Sequence, residues 1–254
     1  MSEAVPERTE ISRGADVLAL EGATSGYGDT VVLENLSFRL GRGESVSVIG
    51  RNGVGKTTLL ATLIGHTNLH SGRVIFQGRD ISRMPIHRRA LAGLGYVPQE
   101  REVFPSLTVS ENLEIAARPG RWTIESVFDL FPQIAERAGH MGNHLSGGEQ
   151  QMLSIARALV GNPSVLLMDE PTEGLAPVIV EDLVETMNTL RTVEGLAIVL
   201  VEQHSRIAMD FSERTVVMNR GQIVYDGASS NLRSDQARLD SLIGVVKAEE
   251  ETAC

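Results

Sequence analysis

Short runs of aliphatic residues open the chain. Val17-Leu18-Ala19-Leu20, Val31-Val32-Leu33 and Leu36 to Leu40 are separated by Gly-containing turns and predict an antiparallel sheet. Ser45-Val46-Ser47-Val48-Ile49 reads as a further strand, and behind it Leu59, Leu60, Leu63 and Ile64 recur at helical spacing. Gly72 to Phe76 with Gln77-Gly78 predicts a strand and a hairpin turn. From about 85 to 160 the pattern turns helical, over 86–91, 109–117 after a Ser106 or Ser110 cap, 124–131 and 149–160. Strands resume at Val165 to Met168, then a helix from about Pro177 to Leu190, then Ala197 to Val201. Continuous apolar runs alternating with helices indicate a parallel sheet covered on both faces. Val216 to Val224 forms a hairpin turning near Gly221.

The pattern predicts an α/β domain over 15–246 with an antiparallel β-subdomain and a helical subdomain over about 85–160. A disordered leader, 1–14, and a charged tail, 247–254, flank it. At 254 residues, 42% hydrophobic and 22% charged, the chain can bury one substantial core. A net charge of -10 argues against wholesale binding to nucleic acid or anionic lipid, which reward clustered Lys and Arg. The single cysteine is Cys254, which rules out an intrachain disulfide and favours a reducing compartment. No apolar run approaches the roughly 18 residues that span a bilayer, and Met1 to Asp16 is too polar for a signal peptide. A membrane role is expected only through a partner.

Candidate chemistry centres on Gly50-Arg51-Asn52-Gly53-Val54-Gly55-Lys56-Thr57-Thr58, which fits G-x-x-x-x-G-K-[ST] between a strand and a helix. The glycines let backbone N–H groups turn toward one point and the helix start adds partial positive charge, so the loop suits a polyphosphate. Lys56 is expected to reach the β- and γ-phosphates and Thr57 to ligate Mg²⁺. The apolar strand over 165–168 ends in Asp169-Glu170, two acids at the carboxyl edge of a parallel sheet. They read as one acid for a metal and one for water, or as solvated strand-end acids. Leu145-Ser146-Gly147-Gly148-Glu149-Gln150-Gln151 puts a serine and two glycines ahead of a helix, a second anion site or a plain helix cap. Gln99 and His204 each follow a strand, and Tyr27 stands between Gly26 and Gly28 with a face free for stacking.

These motifs, in this order and spacing, resemble the nucleotide-binding domain of ATP-binding-cassette (ABC) proteins, a P-loop NTPase fold, over about Val17 to Gly227. The resemblance implies that Tyr27 stacks on adenine and that Gly50, Arg51, Asn52, Gly53, Val54, Gly55, Lys56, Thr57 and Thr58 hold the phosphates. Gln99 becomes the sensor of Mg²⁺ and γ-phosphate, Asp169 the metal ligand, Glu170 the general base and His204 a γ-phosphate contact. Ser146, Gly147 and Gly148 close on ATP bound to an opposite subunit, so the chain is expected to pair with itself or with a homologous ATPase.

Two longer stretches, Tyr96 to Val109 and Glu170 to Pro177, resemble the ATPase subunits of bacterial branched-chain amino acid importers, a subgroup that includes importers of urea and short amides. That resemblance implies transmembrane permease partners, an indirect substrate-binding protein, and a peripheral place on the cytoplasmic face of the cell membrane. Ala176 stands where many cassettes carry Asp, so an intersubunit role for that Asp does not transfer. An exporter ATPase fits on fold alone. A DNA-repair cassette is disfavoured by the short span from Leu59 to His144 and by the acidic charge, and a ribosome-associated one by the single set of motifs. Arg101 to Leu107, with Val103, Phe104 and Pro105, is expected to help form the groove that receives a cytoplasmic helix of the membrane subunit.

Overall fold

The computed structural model describes residues 16–193 and 195–244, so the leader, the tail and Cys254 lie outside it. Strands β1 (Asp16–Tyr27) and β2 (Thr30–Gly41) form a long antiparallel hairpin. The two short strands expected over 31–33 and 36–40 are one strand. Between the pairs Ala23↔Leu36 and Ser25↔Leu33 the ladder carries one extra residue on β2, and Asn35 sits there at φ 45°. Asn tolerates that conformation, so the break read from Glu34-Asn35 is a bulge rather than a turn.

Strand β3 (Ser45–Ile49) leads into helix α1 (Lys56–Ile64), and β4 (Asn68–Phe76) turns into the short β5 (Arg79–Asp80). Next come α2 (Ile86–Leu91), β6 (Leu94–Val97), α3 (Val109–Glu114), α4 (Ile124–Leu130), α5 (Pro132–Ala135) and α6 (Gly147–Val160). The remainder is β7 (Val165–Asp169), α7 (Pro177–Arg191), β8 (Ala197–Glu202), α8 (Ser205–Phe211), β9 (Arg214–Asn219), β10 (Gln222–Ala228), α9 (Ser229–Arg233) and α10 (Gln236–Leu242).

Two sheets result. The antiparallel one has the order β2-β1-β4-β5 and the larger one the order β10-β9-β3-β8-β7-β6, parallel except for β10. The stretch 85–160 is therefore not purely helical. Its β6 pairs with β7 from Leu94↔Val165 to Val97↔Met168, at the edge of the large sheet, and the all-helical part begins at Val109.

Alternate residues of the large sheet enter two different cores, as a pleated sheet covered on both faces requires. Val46, Val48, Val165, Leu167, Val199 and Val201 pack with α1 and the antiparallel sheet through Leu59, Leu63, Leu20 and Phe38. Leu166, Met168, Ile198 and Leu200 pack instead with α6, α7 and the helical part through Leu153, Leu159, Leu183 and Phe131. The central neighbours β3, β8 and β7 run parallel. Their carboxyl ends thus deliver the 50–58 loop, Glu202 and the pair Asp169-Glu170 to one sheet edge.

Candidate functional site

The loop leaves β3 at Gly50 and closes on α1, whose N-cap Gly55 has φ 105°, a left-handed value suited to glycine. Opening on to α1 is a recess of about 330 Å³ lined by Val32, Asn52, Gly53, Gly55, Lys56, Thr57, Thr58, Gln99 and Glu170. Backbone donors at a helix start, one lysine and a threonine hydroxyl make it an anion cradle.

Lys56 Nζ donates to the carbonyls of Gly50 at 2.9 Å and Arg51 at 3.2 Å, and it pairs with Glu170 Oε1 at 2.9 Å. Both side chains are buried, so the lysine is held by the loop it serves and by the acid opposite. The Glu170 backbone adopts φ 45°, uncommon outside glycine, and its N–H donates to Val201 O at 2.9 Å. Asp169 is wholly buried. Burial pushes its carboxyl up to about 6, with the neighbouring Glu170 adding and the Thr57 hydroxyl and Lys56 opposing. Asp169 Oδ1 has no hydrogen-bond partner, and Oδ2 receives a long contact of 3.5 Å from the Tyr96 hydroxyl.

That orphaned oxygen beside the Thr57 hydroxyl fits a hard cation such as Mg²⁺. Among the described residues no three His, Cys, Asp or Glu side chains converge on one point. A cation there would need its other ligands from phosphate and water, as Mg²⁺ commonly does.

Not all the expected residues meet in the cradle. Gln99 lines it, but its amide is hydrogen-bonded to the Glu173 carboxylate. Tyr27 ends β1 at 49% exposure, paired with Thr30 across the hairpin. His204 is exposed, N-terminal to α8. Ser146, Gly147 and Gly148 start α6 and do not line the cradle. The Ser146 side chain caps its own helix by accepting from Glu149 N–H, and Gly148 lies against Ile179 of α7.

Four contacts were not visible beforehand. Glu173 holds Gln99 through its side chain and Arg101 through its carbonyl, the latter at 3.4 Å. Gly221 N–H donates to Val54 O at 2.8 Å, so the β9–β10 hairpin touches the phosphate loop. Glu202 is buried and accepts from Thr172. Of these only Glu202 left a sequence signal, a charge ending the apolar run Ala197 to Val201.

Fold and cradle together define a P-loop ATPase of the cassette type. The chain belongs to the ABC transporter family, whose model matches residues 33–173. The high-affinity branched-chain amino acid transport ATP-binding protein BraG of Pseudomonas aeruginosa is 36% identical over 236 residues, covering 90% of this chain and all of that protein. The lipopolysaccharide export system ATP-binding protein LptB of Haemophilus influenzae is 32% identical over 87% of this chain and 94% of its own. Among solved structures, the dimeric post-hydrolysis state of the cassette MJ0796 bound to ADP and Pi superposes with a TM-score of 0.73 at 26% identity, covering 84% of this chain and 98% of that one. This protein is therefore the ATP-binding, ATP-hydrolysing subunit of a membrane transporter. No helix among the described residues is long and apolar enough to cross a membrane.

Proposed function

We propose that the chain powers an importer of branched-chain, hydrophobic amino acids, acting as one of two cassettes that close around ATP on the cytoplasmic face of the cell membrane. The observation that carries the hydrolytic part is the meeting of Lys56, Asp169 and Glu170 at the carboxyl edge of β3 and β7. The cargo assignment rests on similarity to BraG over that protein's whole length.

Lys56 exchanges Glu170 for the β- and γ-phosphates of ATP, which frees the Glu170 carboxylate to face water. Glu170 takes a proton from the attacking water, the terminal phosphoryl group passes to that oxygen, and ADP leaves. Most of the acceleration in such transfers comes from positioning and charge neutralisation. Thr57, Gln99 and Asp169 would hold a Mg²⁺ ion, which when bound would add charge neutralisation at the phosphates. Gln99 and His204 read the γ-phosphate, Tyr27 stacks on adenine, and Gly50 to Thr58 cradle the phosphates. Ser146, Gly147 and Gly148 lie outside the cradle of their own chain and serve the nucleotide on a second cassette. Binding closes the pair and hydrolysis removes the bridge, so each cycle moves the permease subunits.

The surface that receives the permease lies between the sheet edge and the helical part. A groove of about 270 Å³ there is lined by Ile86, Tyr96, Arg118, Arg157 and Pro163 among others. Phe104, 46% exposed, lies under the Arg157 guanidinium with its ring centroid 4.9 Å away. A cytoplasmic helix of the membrane subunit seats in this groove, beside the segment with Val103, Phe104 and Pro105 that Arg157 joins to it.

Uptake of labelled leucine and labelled urea in cells lacking the chain, complemented with the natural protein or Glu170→Gln, tests the reading. Leucine uptake restored only by the natural chain is expected. Rescue of urea alone moves the cargo to the short-amide importers of the same subgroup. Rescue of neither, with an outward-acting permease copurifying, supports the export direction of the LptB likeness.

A further inference from the structure

Strand β8 runs Ala197-Ile198-Val199-Leu200-Val201 and then ends in Glu202, only 1% exposed. A carboxylate in such a place is costly unless its oxygens are hydrogen-bonded. Its bonds go to one residue. Glu202 Oε1 accepts from the Thr172 hydroxyl at 2.8 Å and from Thr172 N–H at 3.3 Å. Thr172, itself buried, lies two residues beyond Glu170 in the segment between β7 and α7.

That segment is pinned to the end of β8 at successive points. The backbone of Glu170 donates to Val201 O, and the next strand residue, Glu202, holds Thr172. Between the pins Glu170 is kept at φ 45°, a conformation that persists only where the surroundings over-determine it. Electrostatics give no reason for an acid here. The charged groups facing Glu202 are Glu170, which repels it, and His204, which attracts it. An apolar residue would complete the strand more cheaply, so the acid's contribution is the geometry of its two hydrogen bonds.

We infer that Glu202 is a positioning residue for ATP hydrolysis: by clamping Thr172 through both its hydroxyl and its N–H, it holds the strained Glu170 backbone so that the Glu170 carboxylate keeps its place in the cradle. The inference rests on the assignment of Glu170 as the base. It also ties the strand that leads to His204 to the segment that carries Glu170.

The test is steady-state ATPase kinetics of the full chain with ATP binding and melting measured alongside, for Glu202→Gln, Glu202→Ala, Thr172→Val and Glu170→Gln. Glu202→Ala and Thr172→Val are expected to lower kcat by about tenfold or more while KM for ATP stays within about threefold, because only the placement of the base is lost. Their double variant is expected to be no worse than either single one, since both remove one clamp. Glu202→Gln keeps the accepting Oε1 and is expected to keep kcat within about threefold of the natural value. Thr172→Val at full kcat overturns the inference, and so does Glu202→Gln falling as far as Glu202→Ala. If Glu202→Ala fails to fold, the other two variants still decide. Glu170→Gln is expected to bind ATP without turnover. Retained turnover there overturns the base assignment, whereas its loss beside a fully active Thr172→Val overturns the clamp alone.

Discussion

Gly78 and Gly221 turn two hairpins at the same φ of 76°, yet a side chain at each would meet different surroundings. Nothing lies within 4 Å of a Cβ built at Gly78, whereas one at Gly221 would sit 2.0 Å from Val32 O. Gly78→Ala should therefore cost about 1 kcal/mol from backbone strain and leave ATP affinity unchanged. Gly221→Ala should cost more than about 2 kcal/mol, because backbone must move, and weaken ATP binding about tenfold through the Val54 contact. Thermal denaturation with nucleotide titration compares the two, and equal effects would refute the contact argument. In sequence the two glycines read alike, since what separates them comes from β2, far away along the chain. Lys56, Asp169 and Glu170 were legible because loop and strand context fix where they emerge. The Lys56–Glu170 ion pair was not, because it depends on two strands being brought side by side.

Helix α6 shows what an element's own sequence can and cannot reveal. Ser146 and Glu149 form a reciprocal capping box, with Ser146 N–H donating to Glu149 Oε2 at 2.7 Å and Glu149 N–H to Ser146 Oγ at 3.3 Å. Burial alone would raise the Glu149 carboxyl, but the bonds from Ser146 and the nearby Arg137 outweigh it and hold it below the usual glutamate value. A depressed folded value means that this stabilisation is present above the unfolded value and is lost as pH falls through the folded one. Glu149→Gln retains the box without the charge. The natural chain should melt higher than Glu149→Gln at pH 7, with the difference shrinking as pH falls through the depressed Glu149 value, and a constant difference would refute the charge argument. The helix was legible from Ser146 and the apolar spacing behind it. By contrast Gly95 to Pro98 reads as strand-like, but the four residues of β6, Leu94 to Val97, show too little periodicity to reveal which sheet they join. Helix α10 was missed since only Leu239 in it is buried, leaving no apolar stripe to read.

At the scale of the molecule, one chain presents the 50–58 cradle and the 146–148 turn as separate surfaces. Glu170→Gln with ATP should therefore accumulate as a dimer in sedimentation velocity, while the natural chain reverts to monomer as ATP is consumed. A Glu170→Gln chain that stays monomeric at tens of micromolar would assign the second half of the site to a different cassette subunit. The large sheet has a further consequence. Strands β7 and β8 each have neighbours on both edges and a separate core against each face. Their amide protons can meet solvent only when both cores open together, so in native-state exchange they should take up deuterium last, at the rate of global unfolding. Amides of α3 to α5, which lie outside the sheet, should exchange earlier through local opening. Cycles of closing and opening around nucleotide can then repeat without deuterium entering β7, the strand that leads Glu170 into the cradle.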